Sequence, residues 1–335
     1  MNRIVVFSLL LMSVYCGGCK SANDGKEAGS KEILYNPTFK AISDSVDRNP
    51  LDADLLLRRA ELLTQNNQHD LAFYDYKKSW QQKPSEATAL LFTSNLFLTG
   101  KTKDAIDLLQ KCIQRYPAVP EFTRRLGEAY TQAGRSKEAL SLYDVVLKKD
   151  SFNFEAFYEK GMLLTKLKDT GGAVIMLEKS YRLQPLLENG LALANLYAET
   201  KNEKTIELCN ALQRRDTSRE FIDPVFMKGI YYSNTKDYKK AIALFDECIN
   251  RDWKFIEPYL EKGIIFYEQK NYDEAIKTFQ FAVTVTYSNP DAYYWIGRCC
   301  EAIGKRDEAL DYYYKALVFD KNFTEAKEAI KRLKG

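Results

Sequence analysis

Histidine is almost absent from this chain, with one residue, His69, in 335. A His-centred general base or metal cluster needs partners, and no second histidine exists to supply one. His69 reads as a surface residue in the turn region of the first repeat. Net charge is scarce too: 49 Lys and Arg face 46 Asp and Glu, leaving +3. That balance makes no field strong enough to favour nucleic acid. The basic pairs Arg58-Arg59, Lys148-Lys149, Arg214-Arg215 and Lys239-Lys240 are scattered, as solvated helix faces would be. None of the spacings G-x-S-x-G, H-E-x-x-H or G-x-G-x-x-G occurs. Gly100-Lys101-Thr102 ends like a phosphate-binding loop, but Asn95 stands where that loop needs glycine, and a helix precedes it. The chain is therefore expected to be no enzyme, with no cofactor, no metal, no nucleic acid and no small-molecule substrate.

Long apolar runs are missing except at the start. Met1-Asn2-Arg3 is a short positive head, and Ile4 to Tyr15 is a 12-residue, mostly apolar run. That run is too short to span a bilayer as a helix. Cys16-Gly17-Gly18-Cys19 follows, then polar residues at once. Charged head, apolar middle and small residues before a break make a secretory signal. The C-x-x-C spacing has no folded βαβ context to depress a thiol pKa, so a redox role is not expected. The segment resembles a bacterial lipoprotein processing box, with Cys16 in place of the usual Leu three residues before Cys19. The resemblance implies a signal peptide over 1–18 and a lipidated Cys19, facing a plain cleaved signal or an uncleaved anchor as alternatives. Residues 20–32, KSANDGKEAGSKE, complete a flexible tether over 19–32 with a reach on the order of 20 Å. In Gram-negative lipoproteins an Asp after the lipidated Cys commonly retains the protein at the inner membrane. Lys20 stands there instead, which implies an outer-membrane protein of the cell envelope, facing the periplasm or the surface.

Small residues recur through the rest. Ala60, Ser94, Gly127, Gly161, Ala194, Gly229, Gly263 and Gly297 form one series. Ala72, Ala105, Ala139, Ala173, Thr205, Ala241, Ala275 and Ala309 form a second, 11 or 12 residues later. Steps within the second are 33, 34, 34, 32, 36, 34 and 34 residues. A period near 34 means stacked copies of one supersecondary unit rather than a single globular core. The third copy begins at Pro120. Leu126, Gly127 and Tyr130 mark one side of a first helix, and Gly134-Arg135 breaks it. Ala139, Tyr143 and Val146 are the stripe of a second. The short turn makes the two antiparallel neighbours, and the small residues let them approach closely.

This pattern resembles the tetratricopeptide repeat: Leu-Gly, Tyr, Gly, Ala, an aromatic, Ala and a closing Pro. The eighth copy matches with Ile296-Gly297, Gly304, Ala309, Tyr313 and Ala316, and closing prolines stand at Pro84, Pro117 and Pro185. The resemblance implies an all-α, right-handed α-solenoid of about eight helix-turn-helix units over 53–323. Residues 33–52 read as an N-terminal capping helix with the stripe Phe39, Ile42 and Val46. Residues 324–335 read as a C-terminal capping helix with Ala326, Ala329, Ile330 and Leu333 on one side. Caps are needed because a terminal repeat has a bare apolar face. The fifth copy is the poorest match, with Thr205 and Cys209 at core positions. The joint after it, 213–221, is lengthened, and reads as a flex point or as a plain loop insertion. Cys112, Cys209, Cys248, Cys299 and Cys300 fall on helices and read as core filling.

In this family the first helices line the concave side of the stack. Carrying over the family's groove positions gives Arg124, Glu128, Tyr158, Met162, Asn195, Phe226, Ile230, Leu260, Ile264, Tyr267, Tyr294, Arg298 and Glu301. The Lys-Asn clamp that some members use for C-terminal carboxylates does not appear, so a chaperone-tail receptor is not expected. The later copies offer an apolar and aromatic groove suited to a peptide or amphipathic helix. The resemblance thus implies a membrane-anchored protein-interaction scaffold. The alternatives are an assembly factor of an outer-membrane or pilus-type complex and an enzyme accessory subunit.

Overall fold

The computed structural model describes residues 32–216 and 221–335. The leader, Cys19 and most of the tether lie outside the described residues, as do 217–220 of the irregular joint. Among the described residues there are helices and no strands, and no helix is long and apolar enough to cross a membrane.

Two compact units divide the chain, one up to Asp169 and one from Thr170 onward. The division falls between the two helices of the fourth repeat. The joint at 213–221 lies inside the second unit.

The first unit opens with α1 (Pro37–Arg48) and runs through α2 (Ala53–Gln65), α3 (His69–Gln82), α4 (Glu86–Leu98) and α5 (Thr102–Arg115). It continues through α6 (Pro120–Gln132) and α7 (Ser136–Lys149) to α8 (Phe154–Lys166). Local chemistry starts several of these helices. Pro37 sits in the first turn of α1, where its missing N–H costs nothing, and the Asn36 side chain accepts from the N–H of Thr38 and Phe39. Asp52, Ser85 and Asn153 cap α2, α4 and α8 in the same way. Each helix packs on its sequence neighbours, and α6 also meets α8. Their buried faces join into one core running from Phe39 to Leu163. The N-terminal stripe is as expected at Phe39 and Val46, which are buried, while Ile42 is partly exposed. His69 differs from expectation. It is the first residue of α3 and half-buried, and Asn95 of α4 donates to its carbonyl at 2.9 Å.

The second unit holds α9 (Thr170–Leu183), α10 (Leu187–Glu199), α11 (Lys204–Arg215), α12 (Asp223–Asn234) and α13 (Tyr238–Arg251). It ends with α14 (Glu257–Glu268), α15 (Tyr272–Val285), α16 (Pro290–Ala302), α17 (Arg306–Phe319) and α18 (Thr324–Lys334). Across the lengthened joint, α10 and α11 both pack on α12. The last helix, α18, lies on α17 and buries Ala326, Ala329 and Ile330.

Two features of the repeat explain its sequence period. The turn between paired helices needs one residue in the left-handed region, filled by Gly134 at φ 74° in the third repeat. Second, Gly297 of α16 faces Tyr313 of α17. A Cβ there would lie 2.7 Å from the ring and 3.2 Å from the Ala309 carbonyl oxygen, so the small residue sets the interhelix distance. Tyr143 is buried against Gly127 in the same way.

Candidate partner-binding site

The five cysteines from Cys112 to Cys300 are buried and unpaired. Burial pushes the thiols of Cys209, Cys248 and Cys299 up to about 12 and that of Cys112 to about 11. Such thiols stay protonated and unreactive near neutrality. Among the described residues no group of three or more His, Cys, Asp or Glu is placed to hold a metal ion.

In the first unit the face carried by the first helices is ionic. Arg124 of α6 donates to both Glu121 oxygens at 2.6 and 2.8 Å and also to Glu159 of α8. Burial opposes its charge, but Glu121 outweighs burial and raises its pKa. Its neighbour Arg125 donates to Glu121, to the Ser94 hydroxyl at 2.8 Å and to the Leu90 carbonyl at 3.1 Å. That contact accounts for Ser in place of Gly or Ala at the small position of the second repeat. Glu128 sits on the same helix. Burial raises its pKa, and the attraction of Arg124 and Arg125 only partly offsets this. Tyr158 and Met162 of α8 are partly exposed. Arg124 thus bridges α6 and α8, and its charge is already neutralised by carboxylates.

In the second unit the expected residues separate. Phe226 and Ile230 of α12 are core, 0% and 3% exposed, which corrects their assignment to a groove. Phe226 is enclosed by Phe245 of α13, ring centres 5.6 Å apart, and by Phe255 of the following joint at 5.1 Å. The register that predicted an outward side chain did not include Phe255, which closes over it. Asn195 of α10 is partly exposed and donates to Glu199 at 3.0 Å, where burial raises the carboxyl pKa against that bond.

Five of the remaining six come together on α14 and α16, adjacent first helices that touch. Leu260, Ile264, Tyr267, Tyr294 and Arg298 are all partly exposed. Arg298 donates to the Tyr294 hydroxyl at 3.1 Å and across to the Tyr267 hydroxyl at 3.0 Å. Its guanidinium also lies 5.2, 5.4 and 5.8 Å from the ring centres of Tyr267, Trp295 and Tyr294. Burial opposes the charge, yet the tyrosine oxygens hold the pKa above the ordinary arginine value. Trp295 was missed in the sequence because it falls beside a groove position rather than on one. It stacks on Phe279 at 6.0 Å and meets Tyr267 edge-on at 5.3 Å, which fixes the cluster. Glu301, one turn further, is committed elsewhere. It accepts from Tyr313 at 2.6 Å and from Arg332 of α18 at 2.8 Å.

Comparison with known proteins agrees with this architecture. Three tetratricopeptide repeat family models match residues 96–167, residues 154–185 with 223–252, and residues 260–331. A search of curated proteins finds no match. The crystal structure of the APC/C hetero-tetramer Cut9-Hcn1 is similar in fold, with a TM-score of 0.54 at 15% identity over 93% of this chain. The present chain spans only 60% of that one. A tetratricopeptide repeat protein from Parabacteroides merdae ATCC 43184 gives a TM-score of 0.51 at 14% identity, covering 84% of this chain and 99% of its own. With the repeat geometry and these matches together, the chain belongs to the tetratricopeptide repeat family, an α-solenoid of helix pairs that serves as a scaffold for protein–protein interaction.

Proposed function

We propose that the chain is a membrane-anchored scaffold whose first-helix face receives a peptide or helix of a partner protein. The observation that carries the reading is the cluster on α14 and α16. Leu260 and Ile264 offer apolar surface beside Tyr267, Tyr294 and Arg298, all partly open to solvent. Tyrosine and arginine beside aliphatic side chains are the composition of binding hot spots. The anchor rests on the leader: a lipid on Cys19 with the tether 20–32 would keep the repeats near an envelope membrane and raise local partner concentration.

Affinity purification of the full chain from detergent-solubilised membranes tests the face. A stoichiometric partner is expected with the wild type and is expected to be lost from an Ile264→Ser, Tyr267→Ala variant of unchanged helicity. Retention of the partner by that variant would remove the proposed face. Phe226 is excluded from this test because replacing a core residue would unfold the repeat. Mass spectrometry of the mature N-terminus tests the anchor. A diacylated or triacylated Cys19 is expected, and an unmodified residue there would refute it.

A further inference from the structure

We propose that the outer side of α15 is a self-association surface, on which a second copy of this chain lays the same helix antiparallel across a two-fold axis near Phe281. α15 is the second helix of the seventh repeat, so this surface is separate from the first-helix face and does not depend on it.

Three observations carry it. First, the exposed residues of α15 fall at the spacing of a helix-pairing seam. Glu274, Lys277, Phe281 and Thr284 follow one another at three, four and three residues, and all four are exposed. Phe281, in the seam, is 63% exposed. Tyr287, just past the helix end, is 72% exposed, yet its ring is held edge-on by Phe319 at 5.5 Å and by Tyr293 at 6.2 Å. A side chain fixed before contact loses little entropy on binding. Second, the surface has no charge. Between Lys277 and Asp291 the sequence TFQFAVTVTYSNP contains none, whereas each of the other second helices carries at least one charge in its last seven residues. An apolar, β-branched window without charge is an aggregation hazard when left in water, and burial against a partner removes that hazard. Third, the missing charge selects the occupant. A two-fold axis sets residues near it against their own copies, so a charge there would face a like charge. An uncharged patch escapes that repulsion. A foreign protein is selected largely through complementary charge, and an anionic membrane through clustered lysines; this surface offers neither. The two ionised residues of the seam pair with each other, Lys277 to Glu274 at 2.7 Å. In an antiparallel crossing centred on Phe281 they lie opposite the uncharged stretch from Thr284 to Ser288 of the second copy. The apolar part is about two helical turns long, which suits a weak, concentration-dependent dimer rather than an obligate one.

Sedimentation equilibrium of the full chain in density-matched detergent, across the micromolar range, tests this. Wild-type protein is expected to pass from monomer to dimer as its concentration rises. Phe281→Glu and Phe281→Lys each place like charges at the axis and should weaken the dimer about tenfold or more. Helicity and thermal midpoint should be unchanged in both, because Phe281 is exposed. An equimolar mixture of the two variants should regain the dimer, since opposite charges then meet. Contact of Phe281 with its own copy gives that recovery, and contact with any other surface does not. Lys148→Glu, at the register of Thr284 on α7, should dimerise as the wild type does. A wild type that stays monomeric at every concentration overturns the proposal, as does a dimer that persists unweakened in Phe281→Glu. Loss in both variants without recovery on mixing overturns the two-fold contact. None of these outcomes bears on the partner face, whose test uses Ile264 and Tyr267.

Discussion

Glu128 and the Arg59–Asp75 pair show opposite fates for a charge taken out of water. Arg59 donates to both Asp75 oxygens at 2.6 and 2.8 Å between α2 and α3, with 11% and 6% of the two side chains exposed. Removing one partner leaves the other buried and unpaired, so Asp75→Ala is expected to destabilise the chain by about 3–5 kcal/mol. Urea unfolding followed by circular dichroism measures it. Glu128 has no such partner, and burial raises its pKa. Its folded pKa therefore lies above its unfolded one, and the folded state holds the proton more tightly. Stability falls as pH rises from the ordinary carboxylate range through the raised value, and the full penalty is present at neutral pH. Glu128→Gln should raise the midpoint of thermal unfolding at pH 7 and lose that gain at pH 4. An equal gain at both values would show that the charge is not the cause. His69 could be read as a lone residue from the sequence, but the bond its carbonyl accepts comes from Asn95, 26 positions away.

At the scale of the helix pair, the turn position is the informative one. Gly100, Gly134 and Gly304 occupy it with φ of 66°, 74° and 82°. Lys168, Lys201, Lys236 and Lys270 hold the same conformation, with φ between 59° and 65°. A side chain there costs about 1 kcal/mol relative to glycine, so Lys270→Gly is expected to stabilise the chain by roughly 0.5–1 kcal/mol. A lower urea midpoint in that variant would count against strain at the turn. The close-approach position behaves oppositely. Gly297→Ala drives a Cβ into Tyr313 and the Ala309 carbonyl and is expected to cost about 1–3 kcal/mol. The same denaturation experiment separates the two signs. The close-approach position was visible as small-residue spacing, because paired helices are adjacent in sequence and their contact is encoded within one repeat, whereas lysine at four of the turns hid the other.

For the whole molecule, the division between Asp169 and Thr170 sets the expectation for unfolding. In a repeat array each unit is stabilised by its immediate neighbours, so local damage need not propagate. Gly297→Ala should lower hydrogen-exchange protection in α14 to α18 and leave α1 to α8 protected as in the wild type. Equal loss throughout would show a single cooperative unit. The sequence marked the joint at 213–221 as the irregular place because its length departs from the period. Length alone did not reveal that α10 and α11 both pack on α12 there, within one compact unit.

The sequence by itself determined the repeat: the helix pairs, their small-residue contacts and the buried cysteines. Those depend on residues within about one turn-linked pair, where spacing and apolar pattern are enough. Only the tertiary structure decided which first-helix side chains remain available. Phe255 closes over Phe226, Glu159 neutralises Arg124, and Tyr267 receives Arg298 from the next first helix. Each of these decisions is made by a residue about one repeat away, whose identity the repeat pattern leaves unconstrained. The periodicity therefore encodes the scaffold, while its binding chemistry lies in the contacts between successive repeats.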